Sequence, residues 1–318
     1  MQLGIDVDND DGRVRSFISG AATALFASTL DASLPNFQEE RMNSHPGFSA
    51  HGACIPAIGF GTSPMTGGLP AETVLAALNA GYRHIDTARK YGTEAAVGEA
   101  IRAARLPRAE LFITTKVSHE NLGPEDFARS VEQSLKALQL DYVDLLLVHW
   151  PNPEIAVDVY MPALAKAKRD GLARHIGVAN FTTRLLDRAV ALCPEPLVAL
   201  QAEYHPYLDQ QKLLAAVRRH GLLFIAYCPL GRGRLFADPV LAEIAAARGR
   251  SIAQVALRWL LQQNVAPIPR SSNPQRIADN FNVFDFTLDD EEMARIGALA
   301  RPDGRIANPV GRVPGGWD

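Results

Sequence analysis

From about residue 53 onward, the chain alternates between short apolar segments and segments with helical periodicity. Eight of the apolar segments have the length of strands, and several are apolar at consecutive positions, as residues 145–148 are. Such continuous runs are typical of parallel strands that are covered on both faces. The predicted strands are residues 57–61, 83–87, 111–117, 143–149, 175–180, 198–204, 223–228 and 265–269.

The segments between these strands are predicted to be helices. In one of them Phe127, Val131, Leu135 and Leu138 are spaced by 4, 4 and 3 residues, which places them on one face of a helix. Eight strands with helices between them predict an α/β fold, and the count of eight favours a (β/α)8 TIM barrel over an open sheet. Two extra helices, at residues 251–263 and 289–299, and a short C-terminal tail from residue 302 extend this plan.

Residues 1–50 differ from the rest of the chain. Residues 1–15 carry four aspartates, and the weakly apolar run at residues 17–30 is too short to span a bilayer. A net acidic start is also unlike the basic n-region of a secretory signal. Because Met42 could begin a complete domain, we interpret residues 1–50 as a disordered leader or a misassigned start, and residues 51–318 as the barrel.

The bulk composition narrows the partners that this chain can have. The net charge of −3 implies no strongly basic surface, which argues against nucleic acid as the main partner. The three cysteines have no metal-ligand spacing and leave an odd thiol, which indicates a reducing compartment. We therefore expect a cytoplasmic protein without a nucleic-acid or membrane partner.

Polar side chains lie at the ends of several predicted strands. Asp86 is near the end of the second strand, Lys116 near the end of the third, and His149 ends the fourth, while Tyr91 follows Asp86 by five residues. The carboxyl ends of the strands carry the chemistry in TIM barrels. Taken singly, Lys116 is better explained as a strand-end lysine and His149 as a satisfied core histidine, but the set as a whole indicates a functional site.

Several other kinds of site are excluded by the motifs. The glycines of Gly59-Phe-Gly61 follow a strand, but Pro64 occupies the next expected glycine position, so the dinucleotide-binding fingerprint fails. The sequence contains neither a P-loop nor a Gly-x-Ser-x-Gly nucleophile elbow. The eight histidines form no His-x-His or His-x-x-x-His pair, so we predict no metal site.

The remaining side chains suit the reduction of a carbonyl group. An unperturbed tyrosine titrates near pH ~10, and a nearby ammonium favours the phenolate, so we expect Lys116 to lower the pKa of Tyr91 toward neutrality. Asp86 would keep Lys116 charged, and His149 could donate a hydrogen bond to a carbonyl oxygen. Such a set would protonate an alkoxide as it forms.

Nine motifs between about residues 53 and 300 resemble those of the aldo-keto reductases, in the same order. They include Gly81-Tyr-Arg-His-Ile-Asp-Thr-Ala88, Tyr91-Gly-Thr-Glu94, Ile113-Thr-Thr-Lys116, Asp141-Tyr-Val-Asp-Leu-Leu-Leu-Val-His-Trp-Pro151 and Ile268-Pro-Arg-Ser271. Within the family the chain is most similar to bacterial 2,5-diketo-D-gluconate reductases, which have a similar Trp-Asp ending. The resemblance implies a TIM barrel that uses NADPH without a Rossmann domain.

The resemblance also implies roles for individual residues. The catalytic set would be Tyr91, Lys116, Asp86 and His149, with Tyr91 as the proton donor. Asn180 and Gln201 would hold the nicotinamide carboxamide, Tyr227 would stack on the ring, and two arginines would grip the 2'-phosphate. The full set expected to contact NADPH/NADP+ is Gly61, Thr62, Asp86, Asn180, Gln201, Tyr227, Leu230, Arg270, Ser271, Arg276 and Asn280. The carbonyl substrate would meet Tyr91, His149, Trp150 and Lys90.

Several positions depart from the family pattern. Ala179 stands where Ser usually precedes Asn180, Arg270 replaces a common Lys, and Ser63 occupies the place of a pocket-lining aromatic residue. Lys90 lies at a position that is often apolar in relatives. It either attracts anionic substrates such as keto-sugar acids or is a solvated surface lysine.

These observations predict a monomeric, NADPH-dependent reductase of aldehydes and ketones, with 2,5-diketo-D-gluconate and methylglyoxal as candidate substrates. One alternative is a redox-sensing barrel that binds NADPH and regulates a partner with little turnover. The intact set argues against it, because a binding module needs neither Tyr91 nor Lys116. Another alternative is a barrel with hydrolase or isomerase chemistry, since the fold by itself does not fix the reaction.

Overall fold

Eight parallel strands form one sheet at the centre of the protein. The computed structural model describes residues 40–42, 45–63, 68–313 and 315–318. A small antiparallel sheet comes first, with β1 at Glu40–Met42, β2 at His45–Ala50 and β3 at Ala53–Pro56. The parallel strands follow as β4 Gly59–Gly61, β5 His84–Asp86, β6 Phe112–Val117, β7 Val143–Val148, β8 Ala173–Ala179, β9 Leu197–Glu203, β10 Leu223–Tyr227 and β11 Val265–Pro267.

Each parallel strand pairs with its neighbours in the chain, so the spatial order of the strands is the sequence order from β4 to β11. The two edges then meet, because the amide of Gly61 in β4 donates to the carbonyl oxygen of Pro269 after β11 at 3.0 Å. A Cβ atom at Gly61 would lie 2.9 Å from the carbonyl oxygen of Ile268, so only glycine allows this approach. The predicted (β/α)8 barrel is confirmed.

Helices cover the outside of the barrel. The crossover after β10 contains two helices, and β11 is followed by two more. The described helices are α1 Ala71–Asn79, α2 Glu94–Ala104, α3 Pro124–Leu138, α4 Val157–Arg169, α5 Thr183–Leu192, α6 Gln211–Arg219, α7 Pro239–Arg248, α8 Ile252–Leu261, α9 Pro274–Phe281 and α10 Asp290–Gly297. Burial on both faces explains why β6 and β7 are buried at every position.

Several predicted strands extend past the observed ones at their carboxyl ends. His149, Asn180 and Cys228 were expected to end strands and instead lie just after β7, β8 and β10. Asn180 and Cys228 adopt positive φ angles of 62° and 50°, which turn the chain out of the sheet. The apolar runs therefore give the strand cores, whereas the backbone conformation of single residues sets where the strands end.

The small antiparallel sheet covers the amino-terminal end of the barrel. β3 pairs along its whole length with residues 47–50 of β2, and Nε2 of His51 in the turn between them is 2.8 Å from the carbonyl oxygen of His220, just before β10. Residue 51, where the boundary is expected, lies in the turn of this hairpin. Residues 1–39 of the expected leader lie outside the described residues. The opposite, carboxyl-terminal end of the barrel carries the predicted site.

Candidate active site

A buried acid–amine pair is the centre of the predicted site. Asp86 ends β5 and Lys116 lies in the adjacent strand β6, and the two side chains are 2% and 0% exposed. Lys116 Nζ donates to Asp86 Oδ1 at 2.5 Å and to the carbonyl oxygen of Thr87 at 2.9 Å. Burial would lower the pKa of Lys116, but Asp86 and then Tyr91 raise it, so the net pKa is above its ordinary value. This raised pKa favours the charged form of Lys116, in the direction that the sequence predicts.

Tyr91 reaches this pair from a single turn of 3₁₀ helix, Arg89–Tyr91, which Gly92 ends with a φ of 67°. Nζ of Lys116 lies 5.1 Å from the centroid of the Tyr91 ring. Burial raises the pKa of Tyr91, and Lys116 offsets only part of this effect, so the net pKa is above the ordinary value. The expectation that Lys116 brings this pKa toward neutrality is thus wrong in the net direction, because the effect of burial on the phenol is larger than that of the Lys116 charge.

His149 stands beside the phenol. Its Nε2 atom is 3.4 Å from the hydroxyl oxygen of Tyr91, and the two rings meet edge to face at 5.4 Å between centroids. Burial and then the charge of Lys116 lower the pKa of His149 well below its ordinary value. A neutral imidazole and a protonated phenol therefore face the same space above the Lys116 ammonium.

A second group of polar side chains forms hydrogen bonds with Asp86 and with the main chain of His149. Gln201 at the end region of β9 donates through Nε2 to Asp86 Oδ2 at 2.8 Å, so both carboxylate oxygens of Asp86 are satisfied by side chains. Asn180 donates to the carbonyl oxygen of His149 at 2.9 Å and accepts a 2.7 Å hydrogen bond from the hydroxyl of Tyr227. The structure thus joins Gln201, Asn180 and Tyr227, all expected to contact the nicotinamide, to the predicted catalytic set.

Three threonine hydroxyls lie behind Asp86. Thr87 and Thr93 were not identified from the sequence, and Thr62 was expected only as a cofactor contact. Thr93 Oγ1 lies 3.0 Å from Thr87 Oγ1 and 3.1 Å from Thr62 Oγ1, and Thr62 Oγ1 donates to the carbonyl oxygen of Asp86 at 3.0 Å. They connect β4 and the start of α2 to the loop that carries Tyr91. A lone threonine in a strand-end motif gives no signal of such a contact, because the partners are up to 31 residues apart.

The residues expected to bind the adenosine phosphate lie at the other side of this end of the barrel. Arg270 and Arg276 are exposed and flank the amino terminus of α9, whose N-cap Asn273 accepts from the amide of Arg276 at 3.1 Å. Arg270 Nη1 donates to the carbonyl oxygen of Ser63 after β4 at 2.7 Å. Ser271 accepts from the amide of Asn273 at 3.1 Å. Two cations beside the positive end of a helix form a good site for an anion.

The remaining residues of the prediction were expected to contact either the cofactor or the substrate. Asn280 is buried in α9 and Leu230 is half-buried and packed against the core, while Gly61 is committed to closing the barrel. On the substrate side, Trp150 follows His149 and is half-buried. Lys90, by contrast, donates to Glu120 Oε1 at 2.6 Å, so its charge already has a partner.

The C-terminal tail reaches the catalytic end of the barrel. The ring of Trp317 packs edge to face against Trp150 at 6.1 Å between centroids, and Asp318 accepts from the amide and the hydroxyl of Thr183, both at 2.7 Å. Arg312 Nη1 lies 3.0 Å from His119 Nδ1. The tail is rich in proline and glycine, and its apolar residues follow no periodic pattern. Apart from the Trp-Asp ending, the sequence therefore gives no signal that the tail contributes to the site.

Comparison with known proteins agrees with this geometry. Residues 57–301 match the Aldo/keto reductase family. The chain belongs to the aldo-keto reductase family. It is 40% identical over 267 residues to the methylglyoxal reductase DkgB of Escherichia coli O157:H7, an alignment that covers 83% of this chain and 99% of the relative. This confirms the predicted family and the class of enzyme, an oxidoreductase that acts on carbonyl groups.

Solved structures of aldo-keto reductases have the same fold. A crystal structure provisionally named 2,5-diketo-D-gluconic acid reductase B superposes with a TM-score of 0.82 at 45% identity, over 86% of this chain and 97% of the other. The Bombyx mori aldo-keto reductase AKR2E4, crystallised in complex with NADP, has a TM-score of 0.78 at 33% identity, over 84% and 95% of the two chains. In the described parts of the present aldo-keto reductase, no helix combines the length and apolarity needed to cross a membrane.

Proposed function

We propose that this aldo-keto reductase uses NADPH to reduce small aldehydes and ketones to alcohols, with Tyr91 as the proton donor. The observation that carries the proposal is the position of the Tyr91 phenol between a neutral imidazole, His149, and a charged ammonium, Lys116. Tyr91 OH lies 3.4 Å from Nε2 of His149, and its ring lies 5.1 Å from the Lys116 ammonium. A structural tyrosine needs neither neighbour.

The side chains present fit a nicotinamide dinucleotide phosphate. Asn180 and Gln201 offer amide groups for the carboxamide, and the half-buried Tyr227 offers an aromatic face for the ring. Arg270 and Arg276 at the amino terminus of α9 offer the guanidinium pair that a 2'-phosphate prefers. When bound, NADPH supplies the hydride.

Residues of the protein orient the substrate and supply the proton. A neutral His149 donates a hydrogen bond to the carbonyl oxygen and so orients the substrate. Tyr91 is protonated at neutral pH and gives its proton to the oxygen as negative charge develops there. The ammonium of Lys116, held by Asp86, stabilises the phenolate that remains. The raised pKa of Tyr91 keeps the phenol protonated in the free enzyme, so the proton that the alcohol product needs is in place.

Two relatives suggest the class of substrate. One is named for methylglyoxal and a structural neighbour for 2,5-diketo-D-gluconic acid, so both candidates carry more than one carbonyl group. We infer that compounds with two carbonyl groups are better substrates than simple aldehydes. We further propose that the enzyme is a cytoplasmic monomer, which size-exclusion chromatography of the purified chain checks in part.

The proposal is tested by the oxidation of NADPH, followed at its absorbance band, with a panel of aldehydes, α-dicarbonyls and keto-sugar acids. In Tyr91→Phe we expect turnover to fall by about 10²–10⁴-fold, the usual contribution of a positioned proton donor. Binding of NADPH, measured by fluorescence titration, should be unchanged. Wild-type turnover in this variant would refute the assignment of Tyr91. Binding of NADPH without oxidation of any compound in the wild type would instead favour the redox-sensing alternative.

A further inference from the structure

A second buried carboxylate lies at the carboxyl-terminal end of the barrel and takes no part in the proposed proton transfer. Glu203 ends β9 and is completely buried. Its Oε1 atom lies 2.9 Å from Nε2 of His205 and accepts from the amide of Ile306 at 2.7 Å. Its Oε2 atom accepts from the amide of Ala307 at 2.6 Å.

These contacts keep Glu203 ionised and tie it to the tail. Burial would raise the pKa of Glu203, but the hydrogen bonds from His205, Ala307 and Ile306 hold it below its ordinary value. Two consecutive amides of an otherwise irregular segment thus converge on one carboxylate. Hydrogen bonds to an ionised acceptor such as this carboxylate are stronger than those between neutral groups. The tail is therefore fixed at residues 306–307 by a side chain of the barrel.

From this anchor the tail runs across the loops that follow β6, β7 and β8. Arg312 meets His119 after β6, Trp317 meets Trp150 after β7, and Asp318 meets Thr183 after β8. The tail also supports Trp317 from within. The guanidinium of Arg305 lies 3.7 Å from the Trp317 ring centroid, and Trp317 Nε1 donates to Asn308 Oδ1 at 2.9 Å. Both supports flank the two residues whose amides Glu203 holds.

We infer that Glu203 is a positioning residue for the substrate pocket, acting through the tail. By fixing the amides of Ile306 and Ala307, it sets where Trp317 stands against Trp150, the residue next to His149. The pocket wall that faces the carbonyl substrate is then correctly placed only when this carboxylate is intact. The inference rests on the proposed function, since it concerns the pocket of the same site.

The test is full-length Glu203→Gln. Glutamine keeps the size of the side chain but places an NH₂ group against a donor, so one tail contact is lost. We expect the KM for a dicarbonyl substrate to rise about tenfold, as for the loss of one hydrogen bond to a charged group. The kcat and the Kd for NADPH should change by less than about threefold. Ala307→Pro, which removes one donor from the tail and leaves the barrel intact, should raise the KM in the same way.

A double variant separates an effect through the tail from an effect on the barrel. If Glu203 acts by placing Trp317, the KM of Glu203→Gln/Trp317→Ala should not exceed that of the worse single variant. The matched control is Asp144→Asn, a buried carboxylate at the opposite end of the barrel that accepts from the amide of Ile113 at 2.8 Å. It should lower the thermal midpoint without raising the KM.

Three results would overturn the inference: an unchanged KM in Glu203→Gln, KM effects that multiply in the double variant, or a joint loss of kcat and NADPH binding. Tryptic cleavage after Arg312 provides a readout without turnover. It should be faster in Glu203→Gln than in wild type, and equal rates would also count against the anchor. If the wild type reduces no carbonyl compound but the cleavage rates differ, the proposed function fails while the anchoring of the tail stands.

Discussion

Asp86 and Glu203 are two buried carboxylates at the carboxyl ends of barrel strands, and they differ in the partners that satisfy them. Asp86 receives the side chains of Lys116 and Gln201. Glu203 receives two main-chain amides of the tail and the imidazole of His205. A buried carboxylate is costly unless it is paired, and both are. The nature of the partner decides the role of each.

The partner of Asp86 is a titratable cation beside a phenol, so Asp86 acts on charge and proton transfer. Two of the groups that hold Glu203 are main-chain amides of the tail, which cannot titrate, so Glu203 acts on the position of a chain segment. Substitution of Asp86 or Lys116 should therefore alter turnover and its pH dependence, whereas substitution of Glu203 should alter substrate binding. Each of the following experiments tests one side of this difference.

The largest effect is expected when Lys116 is removed. Lys116→Met leaves Asp86 buried without a cation, which we expect to lower the free energy of unfolding by about 3–5 kcal/mol. In Asp86→Leu/Lys116→Met the uncompensated charge is gone, so most of the stability should return while turnover stays lost. Urea unfolding and NADPH oxidation measure the two quantities. A double variant as unstable as Lys116→Met would show that the pair is needed for packing rather than for chemistry.

An effect of intermediate size is expected on the pH dependence of kcat/KM. The pKa of His149 is lowered and that of Tyr91 is raised, so neither should change protonation between about pH 6.5 and pH 10, their ordinary values. The wild-type profile should be flat in this window. In Asp86→Asn the burial of Lys116 is no longer offset, its pKa falls, and activity should decline as the pH rises through the window.

Glu203→Gln is the control for this profile, because two of the groups that hold the Glu203 carboxylate are main-chain amides, which do not titrate. Its kcat/KM should be lower than that of wild type by a constant factor, and the profile should remain flat. A new inflection in Glu203→Gln, or none in Asp86→Asn, would remove the distinction between the two carboxylates.

The smallest effect is expected at Lys90. It pairs with Glu120 at 2.6 Å, and both side chains are about half exposed, so the pair contributes little. In Lys90→Ala the ratio of the KM values for a keto acid and its neutral ester should change by less than about twofold. Glu120→Gln releases the Lys90 charge and is the matched comparison. A large loss of preference for the keto acid in Lys90→Ala would restore Lys90 as an anion-binding residue.

The barrel itself was predictable because its signals are local. Apolar runs such as residues 145–148 identify buried parallel strands, and the strand count suggests closure. The positions of Asp86, Lys116 and His149 relative to those strands were sufficient to bring them to one end. Strand ends were predicted less well, because the positive φ of Asn180 and Cys228 depends on the contacts that their side chains and neighbours make.

By itself, the sequence determined which chemical groups stand at the carboxyl ends of the strands, because strand order and direction follow from the alternation of local patterns. Only the tertiary structure decided the net pKa of Tyr91, the neutralisation of Lys90 by Glu120, and the use of Glu203 to hold residues 306–307. These depend on desolvation and on contacts between residues as far as 104 positions apart. Desolvation and long-range contacts leave no periodic pattern or characteristic spacing in the sequence, so they cannot be predicted from it.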